Sequence, residues 1–105
     1  MADRVDAAWT ALRNRLAARS RELHDEVRSY PTPIARCDEQ LTQVIEQRDT
    51  AFRQLRAAAE LDAISAVVAS GEWLLRLREF AARLDPADDP LLAAQRARLV
   101  AALED

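Results

Sequence analysis

The amino-acid sequence predicts an all-α fold, a long antiparallel helical hairpin with two shorter C-terminal helices, forming a helical bundle. Three observations carry the prediction. The 105 residues contain a single glycine and four prolines, too little punctuation for the many positive-φ turns of a sandwich, a barrel or a doubly wound sheet. Apolar residues recur at helical spacing over long uninterrupted stretches. The breaks that exist fall at three places and divide the chain into four segments, read as one domain over residues 1–105.

The first helix is placed at residues 2–30. Nothing there breaks a helix, and Val5, Trp9, Leu12, Leu16, Leu23, Val27 and Tyr30 follow spacings of four, three, four, seven, four and three, which is one helical face. Asp3 and Asp6 suit the positive end of the helix dipole. The seven-residue gap skips Arg19 and Ser20, a polar defect in the seam.

Tyr30-Pro31-Thr32-Pro33 ends this helix, because a residue before proline is driven out of the α region. Thr32 then serves as N-cap and Pro33 as the first residue of a second helix over 33–70. Its stripe is Ile34, Cys37, Leu41, Val44, Arg48, Phe52 and Leu55, and Glu60-Leu61-Asp62 is the place for a kink or a change of face. A short connection makes the two helices antiparallel neighbours, residue 23 opposite 41 and residue 27 opposite 37 if the turn centres near 32. Ser70-Gly71 reads as the stop, with glycine free to take the left-handed position after a helix. Trp73, Leu74, Leu77, Phe80, Ala81 and Leu84 define a third helix over 72–84, and Asp89-Pro90 reads as an N-cap and first residue of a fourth over 90–104. Because the first pair is longer than the second, part of the hairpin is expected to project or to pair with another chain.

Composition narrows the function classes. Fifteen basic and 18 acidic residues nearly cancel to −3, a mixed, solvated surface without a one-sign arm. Every basic residue is Arg and 22 residues are Ala, a bias that fits a GC-rich genome. The single cysteine excludes an internal disulfide and fits a reducing compartment. With no secretory leader and no apolar run near the roughly 20 residues that span a bilayer, a cytoplasmic protein without a membrane role is expected. No glycine-rich phosphate loop, Cys-x-x-Cys pair or His-Glu-x-x-His helix occurs, so no cofactor and no metal is expected.

Three function classes follow. The first is a small bacterial helical protein–protein interaction module, an adaptor, regulator or chaperone-like protein that self-associates as a homodimer; the Ala excess leaves it short of large core side chains. Arg19 and Arg48, both on apolar stripes and nearly level in the register above, are its candidate polar seam, and Leu75 its candidate exposed apolar contact. The second is a thiol- or metal-dependent sensor or enzyme built on Cys37 and His24, which flank the Pro-Thr-Pro turn beside Glu22, Asp25, Glu26, Asp38 and Glu39. Against it, Cys37 lies past the first helical turn and on the buried stripe, and one His with one Cys is a poor zinc set. The third is nucleic-acid binding through the Arg13, Arg15, Arg19 and Arg21 face. These four residues spread over about half the helix circumference at 100° each and no aromatic residues alternate with them, which disfavours it.

Overall fold

The structure, a computed structural model, describes residues 2–29 and 38–104. Four helices form an all-α bundle: α1 (Ala2–Ser29), α2 (Asp38–Ile64), α3 (Ser70–Arg83) and α4 (Pro90–Glu104). α1 packs along α2 on one side and α4 on the other, and α3 completes the square by touching α2 and α4. The expected start of the second helix at 33 and the whole Pro-Thr-Pro turn lie outside the described residues.

The main core is one cluster, with Leu23 and Ala51 buried apart from it. Val5, Ala8, Trp9, Leu12 and Leu16 of α1 meet Ala58 of α2, Leu77 and Ala81 of α3, Leu84, and Leu92, Leu99, Ala102 and Leu103 of α4. Each large aliphatic side chain buried here contributes about 1.5–3 kcal/mol. Alanines stand where helices approach closely: Ala8, Ala58 and Ala81 are essentially sealed, and their small volume lets backbones come near. Trp9 and Phe80 pack edge to face across the bundle with ring centroids 5.4 Å apart, the arrangement the ring quadrupoles favour.

The fully buried members of this cluster all come from residues 5–16 and 58–103. The rest of the α1–α2 hairpin runs on beyond α3 and α4, giving a molecule 52 × 25 × 18 Å in extent. That follows from length: α1 and α2 have 28 and 27 residues, α3 and α4 only 14 and 15, a difference of about 20 Å at 1.5 Å per residue.

Two details depart from the sequence expectation. The register of the hairpin is shifted: Trp9 and Arg13 reach Asp62, and the His24 ring meets Phe52, whereas a turn centred at 32 would set residue 24 opposite 40. Among the described residues, the ties to Asp62 mark the alignment that is observed.

The second departure is the end of α2. It stops at Ile64 and not at 70, and Gly71 lies in the first turn of α3 with an ordinary helical φ. Ser65 Oγ donates to the Asp62 carbonyl at 2.7 Å, competing for the acceptor that a continuing helix would use. The Val67 and Val68 amides both turn back on the Ile64 carbonyl at 3.0 and 3.1 Å, and β-branched side chains at those positions favour leaving the helix. α3 then starts from Ala69 in extended conformation without a side-chain cap, two residues earlier than expected. The left-handed position is taken instead by Ala87, φ 50°, in the α3–α4 turn. An alanine pays roughly 1–2 kcal/mol there; the Ala87 amide donates to Asp85 Oδ1 at 2.8 Å, which holds the turn in shape.

Candidate functional site

Three arginines of α1 face inward to carboxylates. Asp89 is the centre of the largest network. As the N-cap of α4 it accepts from the Leu92 amide through Oδ1 at 3.0 Å, the bond the Asp-Pro pair predicts. Its other oxygen accepts from Arg15 Nε and Nη2 at 2.9 and 2.7 Å and from Arg19 Nη1 at 3.1 Å. The Asp89 side chain is only 4% exposed. Burial pushes its carboxyl pKa up, but the bonds from Arg15, the Leu92 amide and Arg19 outweigh it and hold the group below its ordinary value. The hydrogen bonds that Arg15 donates to Glu22 and Asp89 raise its pKa above the usual value in turn. α4 is thereby latched to α1 across 74 residues of sequence.

Arg13 is tied separately. It donates to Asp62 Oδ2 at 2.6 Å while Trp9 Nε1 donates to Oδ1 of the same carboxylate at 2.8 Å, and the guanidinium sits 5.7 Å from the Trp9 ring centroid. Around this pair the N-terminal part of α1, the end of α2, the start of α3 and the end of α4 enclose a cleft of about 620 Å³, with Trp73, Ser65, Ser70 and Arg78 in its walls. Trp73 Nε1 donates to the Leu61 carbonyl at 3.3 Å and Arg78 to the Leu103 carbonyl at 2.7 Å. The size suits a small ligand, but Asp6 and Asp62 cancel Arg13 and Arg78, so the cleft selects no charge.

The expected site residues are scattered. Arg19 bonds Asp89 on α4, whereas Arg48 meets its own neighbour Asp49 at 3.5 Å and leaves its buried Nε without a partner. They share no seam, because the register differs from the one that levelled them. His24 is exposed and stacks edge to face on Phe52 at 6.3 Å; Cys37 lies outside the described residues. Among the described residues no group of three or more His, Cys, Asp or Glu could hold a metal. Leu75 is 58% exposed. Of the Arg13–Arg21 face, three members bind carboxylates of the same chain, leaving Arg21 alone directed to solvent.

Sequence reasoning read Asp89 as a cap and missed its second role. The signal was present: a capping carboxylate uses one oxygen for the helix, and Arg15 with Arg19 at i, i+4 offers two donors on one side of α1.

No helix among the described residues is long and apolar enough to cross a membrane. Compared with family models, with curated proteins and with solved structures, the chain matches none.

Proposed function

We propose that this chain is a small helical protein–protein interaction module that self-associates through the part of the α1–α2 hairpin that α3 and α4 do not cover. The supporting observation is the uneven cover of the hairpin. In its projecting half Phe52 is 44% exposed, and Leu41, Val44, Ile45 and Val27 remain only partly buried. Along the other half the same two helices are completed to four by α3 and α4, and two more helices from a second copy would complete the projecting half in the same way.

Light scattering on a sizing column tests the reading. A mass of about twice 11.8 kDa is expected at micromolar concentration. Ile45→Glu and Phe52→Glu, which set a carboxylate on the partly exposed stripe, are expected to return the monomer with unchanged helical circular dichroism. A strict monomer over the micromolar range, or a dimer indifferent to both substitutions, overturns it.

A further inference from the structure

A second surface lies between α2 and α3. These helices leave a groove of about 360 Å³ whose floor is apolar, formed by Leu61, Phe80 and Leu84. Basic residues predominate in its lining: Arg53 from α2, and Arg76 and Arg83 from α3, against the single carboxylate of Glu79. Arg76 shares its charge with Glu72 at 3.0 Å, in a pair that is about half exposed on both sides and therefore weak. Among the described residues Arg53 has only the Thr50 hydroxyl, at 3.1 Å. Arg83, exposed in the last turn of α3, has no carboxylate against it among the described residues.

In a chain of net charge −3, where Arg13, Arg15 and Arg19 of α1 are neutralised internally, three arginines around an apolar floor stand out. We infer that this groove docks an acidic amphipathic helix of a partner protein, its apolar stripe on Phe80, Leu61 and Leu84 and its flanking carboxylates on Arg53, Arg76 and Arg83. The helix-in-groove mode needs apolar anchors at i, i+3 or i+4 and gains register from flanking charge. A nucleic acid fits less well: Leu61, Phe80 and Leu84 form an apolar floor for side-chain anchors, which binding to a phosphate backbone does not use. The surface is separate from the projecting hairpin, so either proposal can fail alone.

The probe is a fluorescein-labelled amphipathic peptide of about 15 residues, with leucine on one face and glutamate on both flanks, titrated with the full chain and followed by anisotropy. Binding is expected, and is expected to weaken at least about tenfold when the double variant Arg53→Glu/Arg83→Glu replaces the native chain. It should also weaken when salt shortens the Debye length from about 10 Å to about 3 Å. Arg53→Gln/Arg83→Gln removes the charge without repulsion and should give a smaller loss in the same direction, while thermal melts of both variants report on folding. Absence of binding, equal binding of a peptide with lysine in place of glutamate, indifference to the substitutions, or displacement of the peptide by a single-stranded oligonucleotide overturns the inference.

Discussion

Asp89→Ala is the substitution that most directly tests how this bundle is held together. Two contributions disappear at once. The N-cap bond to the Leu92 amide is worth about 1 kcal/mol. The bonds from Arg15 and Arg19 are charge-assisted, and the three side chains are only 17%, 13% and 4% exposed for Arg15, Arg19 and Asp89. Removing one partner from such a set costs about 3–5 kcal/mol where the stranded charge is fully buried. Here Arg15 keeps Glu22 at 3.1 Å and both guanidinium groups reach some water, so about 2–3 kcal/mol is the better figure. The sum, about 3–4 kcal/mol, is a large part of the roughly 5–15 kcal/mol that stabilises a domain of this length and corresponds to a melting temperature lower by roughly 12–20 °C. Asp89→Asn keeps a good cap and removes the charge, so it should lie between Ala and the native chain. Urea unfolding and thermal melts at neutral pH, followed by circular dichroism, measure both. A loss below about 1 kcal/mol for Asp89→Ala, no more than a cap is worth, would refute the clasp.

Two further outcomes follow from the same geometry. Because the Asp89 pKa is held below its ordinary 3.8, its ionised form stabilises the fold above that value, and this contribution is lost as pH falls through the lower folded pKa; the stability gap between the native chain and Asp89→Asn should be constant from neutral pH down to the ordinary carboxylate range and then close, and a gap that persists in acid contradicts the assignment. Gly71→Ala should stabilise by about 0.4–1 kcal/mol, since the position is helical and an added Cβ meets nothing within 4 Å; a destabilised variant would instead favour a left-handed glycine there.

The helices themselves were readable because their breaks are made by local chemistry. Asp89-Pro90 marks the start of α4 through a side-chain oxygen and a missing amide, both properties of the dipeptide alone, and α4 spans the expected 90–104. Gly71 misled for a related reason: glycine permits a left-handed φ without requiring it, and α2 was ended earlier by Ser65, Val67 and Val68. Register is a tertiary property. The same stripe on α2 can slide along α1 by whole turns while keeping apolar residues in contact, and the Trp9 and Arg13 bonds to Asp62 favour one alignment. The i, i+4 spacing of Arg15 and Arg19 shows two donors on one side of α1 but not which residue about 70 positions away accepts from them, so the sequence pairs Arg19 with Arg48 instead. The sparse, small-residue character of the core was legible from the alanine count, and Ala8, Ala58, Ala81 and Ala102 bear the consequence.

The uneven cover of the hairpin also divides the molecule by local stability. Residues near Leu12, Leu77, Leu92 and Leu99 are sealed and can expose their amides only when the bundle comes apart, whereas those of α1 after Ser20 and of α2 up to Phe52 are held chiefly by one neighbouring helix. Such segments open sub-globally at a fraction of the global free energy. Hydrogen exchange on the isolated chain should therefore proceed in two tiers, the projecting hairpin first. A protein that grips this end would act as a brake on exchange there and leave the slow tier untouched, so that binding is written as added order in one half of a rod whose other half is already complete.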